Sequence, residues 1–381
     1  MLSLIFDPAR LSYPVTRPPR ARPPALDVDG ALRLADVPEP TIPAERYVKL
    51  RTRLCGICGT DLRVLGFDGT PIPHRRPGPV FLGHEIVAEV VATGPAVTRF
   101  RVGDRVCIAD DKSCETFELE SCNFCVAGLP VLCTNKANRR YHENVAAGWS
   151  EYFVRHENQL FGVPDDLPDE VAVLMEPAAV GLHAVLRQPP DPNMRILVIG
   201  AGTIGLAIVA ALRAVHIDAL DVTVVARHAY QADEALRLHA DRVVAPGAAS
   251  DGFDIVYDCV ASATTLGDAL HALRPRGTLI LVGSNGTPAA VDFTPVWQRE
   301  LSIVGTHGYA HDVWEGRTQH TLARCIDWAR AGRLELGSLL THRFPLVEYR
   351  AALDTAASHL VADDATVERT GARKVAFEFA S

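Results

Sequence analysis

Apolar and polar positions alternate over much of the first part of the chain. Tyr47-Val48-Lys49-Leu50-Arg51 reads as a half-buried strand. Ile86 to Val91 is a second strand, stopped by Thr93-Gly94-Pro95. Val102-Gly103-Asp104-Arg105-Val106 is a turn that enters a third. Many short strands punctuated by Gly and Pro predict a partly open β-barrel over roughly the first 160 residues.

Near residue 170 the period changes. Asp169 to Arg187 is apolar at helical spacing, and Pro189-Pro190 ends it. Arg195-Ile196-Leu197-Val198-Ile199 is a continuous apolar run, the signature of a strand buried on both faces. The pattern then predicts a helix from Ile204 to Val215, a strand at Val222–Val225, a helix from Gln231 to His239 and a strand at Arg242–Val244. A strand at Phe253–Tyr257, a helix at Thr265–Leu273 and a strand at Gly277–Val282 follow. Strand–helix alternation of this kind is a doubly wound parallel sheet, so the chain is α/β with two domains.

Bulk properties narrow the function. A length of 381 residues is too great for one core. The net charge of −8 argues against a nucleic-acid or acidic-membrane surface. No apolar run approaches the roughly 20 residues that span a bilayer. Met1 to Phe6 is too short for a signal h-region and lacks a basic n-region. The segment Pro8 to Pro24 carries Arg10, Arg17, Arg20 and Arg22 among prolines that break a helix, and reads as an extended surface loop. These features predict a cytoplasmic protein.

The first chemical signal is Gly200-Ala201-Gly202-Thr203-Ile204-Gly205, a GxGxxG run between a predicted buried strand and a predicted helix. In that setting the glycines let a pyrophosphate approach a helix N-terminus. The next strand ends Val225-Ala226-Arg227-His228, without the carboxylate that would bond a ribose 2′-hydroxyl. Arg227 instead suits a 2′-phosphate, which favours NADP over NAD. Val260 and Gly283 complete the candidate cofactor set of Gly200, Gly202, Thr203, Ile204, Gly205 and Arg227.

The second signal is metal-ligating. Cys58-Gly59-Thr60-Asp61 and Gly83-His84-Glu85 offer a thiolate and an imidazole, the beginning of a catalytic zinc site with an open position. Cys122-Asn123-Phe124-Cys125 with Cys133 supplies three more thiolates, and Cys114 can be a fourth, as in a closed structural zinc site. Cysteines clustered in a long chain without a secretory signal favour metal over disulfides. A zinc-ribbon nucleic-acid module is the competing reading, and the lobe lacks the Lys/Arg excess it needs.

Together these motifs resemble the zinc-dependent medium-chain dehydrogenases of the alcohol dehydrogenase superfamily, in their polyol, threonine and sugar dehydrogenase branch. The resemblance rests on Cys55-Gly56-Ile57-Cys58-Gly59-Thr60-Asp61, Gly83-His84-Glu85, Gly103-Asp104-Arg105-Val106, the cysteine lobe, Gly148-Trp149-Ser150-Glu151-Tyr152, Glu176-Pro177 and the nucleotide loop. It implies a GroES-like catalytic domain, 1–178 plus 319–381, around a Rossmann domain, 179–318, with the active site between them. It implies Cys58 and His84 as zinc ligands, with Cys55 a small buried residue. Glu85 is a ligand or an exchanging neighbour, and Glu176 binds the metal directly or through its water. Asp61 orients His84, and Thr60 bonds the substrate hydroxyl and starts a proton relay. Phe67, Tyr141, Trp149 and Trp297 are candidates to line the substrate pocket.

The resemblance also implies NAD(P)-dependent interconversion of a secondary alcohol and its carbonyl, and a homodimer or homotetramer joined through 293–305. The chain departs from the family pattern at two positions. Leu119 stands where the lobe's first cysteine is expected, so an insertion after Cys114 must restore the geometry or only three thiolates remain. Arg63 stands where several relatives have a relay histidine. A zinc-independent NADPH reductase and a non-catalytic nucleotide-binding subunit are the alternatives.

Overall fold

Among the described residues, eight short strands before residue 165 answer the alternating pattern: β1 (Leu2–Phe6), β2 (Leu32–Asp36), β3 (Tyr47–Gly56), β4 (Val80–Phe81), β5 (Glu85–Thr93), β6 (Arg105–Ile108), β7 (Tyr152–His156) and β8 (Leu160–Gly162). They belong to a computed structural model that describes residues 1–10, 30–65, 79–140, 142, 145–216, 219–284, 290–361 and 364–380. The parallel strands that follow are β9 (Arg195–Ile199), β10 (Asp221–Val225), β11 (Arg242–Val244), β12 (Phe253–Asp258), β13 (Leu273–Leu281) and β14 (Ser302–Gly305). A hairpin, β15 (His311–Trp314) and β16 (Arg317–His320), precedes the closing strands β17 (Leu340–Pro345) and β18 (Lys374–Glu378).

The described chain divides into two units. The first comprises Met1–Val126, Leu132–Glu176 and Gly337–Ser381; the second comprises Ala127–Val131 and Pro177–Leu336. Residues 319–336, assigned to the catalytic domain from the sequence, therefore lie in the nucleotide unit. The helix Thr321–Arg330 is tied there by Thr321, whose Oγ1 donates within 2.7 Å of the Ala310 carbonyl and lies 2.6 Å from Asp312 Oδ2.

In the first unit, β17-β18-β3-β5-β6-β8 form one sheet with β7 also on β3, and β2-β1-β4 form another. Apart from the parallel β17–β18 pair, neighbouring strands are antiparallel. Leu4, Phe6, Leu50, Ile86, Trp149, Phe153 and Phe377 fill the core. Full burial of such a side chain contributes about 1.5–3 kcal/mol. The apolar N-terminal stretch is thus a core strand. Of the Pro/Arg-rich segment only the short turn Pro8–Arg10 is described; the expected extended loop otherwise lies outside the described residues.

The second unit carries a parallel sheet in the order β11-β10-β9-β12-β13-β14. In sequence order that is 3-2-1-4-5-6, the dinucleotide-binding arrangement. Helices Thr203–Val215, Ala229–Arg237 and Ala263–Ala272 alternate with its strands, within a few residues of the predicted limits.

The single helix expected over Asp169–Arg187 is two, Asp169–Ala172 and Met175–Arg187. Pro177 has no N–H to give the Val173 carbonyl, and its ring would crowd that oxygen, so it is tolerated only in the first turn of a new helix.

Candidate metal centres and nucleotide loop

Cys58 ends the extended run after β3 and is the N-cap of the helix Gly59–Val64. His84 directly precedes β5, and Glu85 opens it. The three residues bring one sulfur, one ring nitrogen and one carboxylate oxygen within 4.8 Å of one another. Asp61 makes this convergence possible. It is 3% exposed. Its Oδ2 accepts from the Cys58 N–H at 3.0 Å, and its Oδ1 accepts from the Gly83 N–H at 3.3 Å. The same Oδ1 lies 3.6 Å from His84 Nδ1. One buried carboxylate thus ties the segment that carries Cys58 to the one that carries His84. Burial opposes a charged His84 ring, but Asp61 and Cys58 outweigh it and hold its pKa well above the ordinary value.

The floor beneath the cluster is tight. Gly83 has φ +89, and a Cβ there would sit 2.4 Å from Trp149 Cδ1 and 2.7 Å from Cys55 Sγ. Cys55 is fully buried, as expected. Trp149, expected near the substrate, is instead a core residue, edge-on to Phe377 at 5.3 Å. Trp297 is exposed in the second unit, and Phe67 and Tyr141 lie outside the described residues.

The two remaining carboxylates differ. Glu85 is bound by Lys374, whose Nζ donates to both of its oxygens at 2.7 Å and lies 3.3 Å from the Ile57 carbonyl. Gly56 makes room for this, since a Cβ there would lie 2.1 Å from Glu85 Oε2. Sequence reasoning missed Lys374, a lone cation in an apolar strand 289 positions away. Glu176, in the first turn of Met175–Arg187, is not one of the three clustered residues, and burial pushes its carboxyl up to about 7. Thr60 is exposed on the first turn after Cys58, with Arg63 on the same short helix.

Cys114, Cys122, Cys125 and Cys133 also bring their sulfurs within 4.8 Å of one another, and none is in a disulfide. The displaced Cys114 is therefore part of the lobe. Its Sγ lies 3.6 Å from Cys133 Sγ and accepts from Cys122 N–H at 3.4 Å and Asn135 Nδ2 at 3.3 Å. The N–H groups of Cys125 and Thr134 pull the Cys122 thiol down to about 5, while burial pushes Cys125 up. Four convergent sulfurs served by N–H donors fit a closed tetrahedral zinc site. Cys58 and His84 with a carboxylate fit an open one.

In the second unit, the Gly200 N–H donates to the Val225 carbonyl at 3.1 Å, which sets the loop at the carboxyl end of β10. Gly200 has φ +98, and a Cβ on Gly205 would stand 1.8 Å from the Gly200 oxygen. A Cβ on Gly202 would meet nothing within 4 Å. Two glycines thus serve the fold, and the third leaves open space, which could admit a pyrophosphate, before the helix that Thr203 and Ile204 begin. Val260 packs over Gly200, and Gly283 lies against the Val260 backbone. Asp258 Oδ1 fixes that turn by accepting from the N–H groups of Val260 and Ala261, both at 2.9 Å. Arg227 is exposed just past β10, its Nε donating to His228 Nε2 at 2.9 Å.

Residues 44–165 match the alcohol dehydrogenase GroES-like domain, and residues 203–323 match the zinc-binding dehydrogenase family. The chain is 30% identical over 317 residues to L-idonate 5-dehydrogenase of Vitis vinifera, covering 78% of this chain and 80% of that one. It is 28% identical over 352 residues to D-arabinitol dehydrogenase 1 of Uromyces fabae, covering 87% and 91%. Its fold is that of galactitol-1-phosphate dehydrogenase from Escherichia coli, with a TM-score of 0.75 at 22% identity over 100% of both chains.

Proposed function

The chain belongs to the zinc-dependent medium-chain dehydrogenases and is an NAD(P)-dependent alcohol/carbonyl oxidoreductase, and from that premise we propose that it acts on a secondary alcohol of the polyol, sugar or amino-alcohol class. The observation that carries this reading is the convergence of Cys58, His84 and Glu85 within 4.8 Å. The curated relatives named above act, by their names, on hydroxyl-rich compounds.

Cys58 and His84 would hold the catalytic zinc, with Glu85 or Glu176 completing the set. Bound there, zinc would supply Lewis-acid polarisation of the substrate oxygen, and a bound nicotinamide would supply the hydride chemistry. Asp61 keeps the thiolate and the imidazole in register. Thr60 Oγ1, exposed beside Cys58, takes the hydroxyl proton and passes it to solvent. Gly202 admits the pyrophosphate, and Arg227 favours NADP over NAD. The four lobe cysteines would hold a second, structural zinc.

The same reading makes the protein a homodimer or homotetramer that acts in the cytoplasm. β14 is an edge strand, and nearby Trp297 is 72% exposed, a surface suited to a second copy. No helix of the described residues is long and apolar enough to cross a membrane.

The test is reduced-nicotinamide formation against polyols, sugars, threonine and simple alcohols, with NADP and NAD side by side. Chelator-sensitive turnover that Cys58→Ser abolishes, with cofactor binding retained, is the expected result. Undiminished turnover by metal-free Cys58→Ser protein would overturn the mechanism.

A further inference from the structure

The chain between Cys114 and Cys122 does more than lengthen the lobe. Directly after Cys114 it makes a tight turn, Glu115–Phe117. The N–H groups of Phe117 and Leu119 both return to the Cys114 carbonyl, at 3.1 and 3.0 Å, and Glu118 takes a left-handed conformation with φ 52. The turn brings the chain back, so that Cys122 N–H reaches Cys114 Sγ.

At the centre of this turn is Thr116, 4% exposed. Its Oγ1 lies 3.0 Å from Ser113 Oγ, 3.1 Å from Asn158 Oδ1 and 3.3 Å from the Asp111 carbonyl. Its N–H donates to Ser113 Oγ at 3.2 Å, and its carbonyl accepts from Tyr47 Oη at 3.2 Å. Asn158 is itself held, with Nδ2 donating to Ser113 Oγ at 3.3 Å and Oδ1 2.7 Å from His156 Nδ1. Next door, Arg46 reaches Glu115 at 3.1 Å and Glu157 at 2.8 Å. Polar contacts therefore fasten the turn to the start of β3 and to the corner after β7, while Cys114 hangs from its first residue.

We propose that Thr116 is a positioning residue for the four-cysteine site: its buried hydroxyl anchors the turn that delivers Cys114 to Cys122, Cys125 and Cys133. This rests on reading that cluster as a metal site. Removing a buried hydroxyl leaves its polar partners unsatisfied, and the substitution Thr116→Val keeps the shape while removing only the hydroxyl's bonds. Serine keeps the hydroxyl.

The experiment uses the full-length purified protein. Metal per chain is measured first, then the rate of zinc release to a chromophoric chelator and the thiolate-to-metal charge-transfer band after cobalt exchange. The wild type should carry two metals. Thr116→Val should release the lobe metal about ten-fold faster with a weakened band, should keep the Cys58/His84 metal, and Thr116→Ser should behave as wild type. Ser113→Ala, which removes one partner of the Thr116 hydroxyl, should show the same change in milder form if Thr116→Val does not fold. Wild-type release and an unchanged band in Thr116→Val would overturn the proposal. So would a Thr116→Ser protein as impaired as Thr116→Val. A single metal per wild-type chain that Cys58→Ser removes would leave none for the lobe, overturning the metal reading itself and the positioning role with it.

Discussion

Lys374 Nζ lies 2.7 Å from each carboxylate oxygen of Glu85, and both side chains are almost completely buried. The pair joins β18 to the start of β5, beside Cys58 and His84. Removing one partner of such a pair strands a charge out of water. Lys374→Met should therefore destabilise the protein by about 3–5 kcal/mol. Neutralising both sides, in Glu85→Gln/Lys374→Met, should restore much of that loss. Denaturant unfolding of the two variants measures it, and a double variant no more stable than Lys374→Met would refute the pairing. Because Lys374 occupies Glu85, Glu85→Gln should also retain more metal than Cys58→Ser or His84→Ala.

The two neighbouring glycines of the nucleotide loop should separate fold from function. Gly205→Ala places a Cβ 1.8 Å from the Gly200 carbonyl oxygen, so the loop must open. Its melting temperature should fall. Gly202→Ala meets nothing within 4 Å, so the protein should melt as wild type. Its affinity for nicotinamide dinucleotide should nonetheless drop about ten-fold or more, because the methyl fills the pyrophosphate's approach. Calorimetric titration with cofactor and a thermal melt of each variant decide the matter. Unchanged cofactor affinity in Gly202→Ala would mean that the open space is not the phosphate site.

The loop was legible because its chemistry is local: a buried strand, three glycines and a helix lie within a dozen residues. The same holds for Cys58-Gly59-Thr60-Asp61, where Asp61 caps the turn that Cys58 begins. What stayed hidden depends on distant or side-chain-specific contacts. Nothing around Lys374 announces that its partner is Glu85. Trp149 lies in a motif whose spacing says nothing of the direction its ring takes, and Gly83 leaves room that this ring fills in the core. Cys114 sat at the wrong spacing until the turn at Glu115–Phe117 brought it back. The break before Met175 was written in Pro177, yet the apolar spacing on either side masked it.

The proposed preference for NADP rests on Arg227. A planar guanidinium pairs with a 2′-phosphate and offers little to a 2′-hydroxyl. Arg227→Glu should therefore lose affinity for NADPH by about ten- to a hundred-fold, while affinity for NADH holds or rises. Fluorescence titration with both reduced cofactors checks it. Equal loss for the two would assign Arg227 to general electrostatics rather than to the phosphate.

Glu157 supplies a pH dependence whose sign is fixed by its surroundings. Burial alone would raise its pKa, but Arg46 Nε at 2.8 Å and the N–H groups of Thr98 and Arg99 at 3.2 and 3.3 Å outweigh it and hold the carboxyl below its ordinary value. A folded-state pKa below the unfolded one means that the unfolded chain takes up protons first as pH falls. The stabilisation is thus complete above the ordinary carboxylate range and disappears as pH drops through the lowered value. Glu157→Gln cannot make the charged bonds and should cost about 1–3 kcal/mol at neutral pH. The deficit should shrink toward zero in acid, where the wild-type carboxylate is protonated as well. Urea unfolding of both proteins between neutral and acidic pH reads this directly. A gap that stays constant across the range would assign Glu157 a shape role and leave its charge without effect on stability.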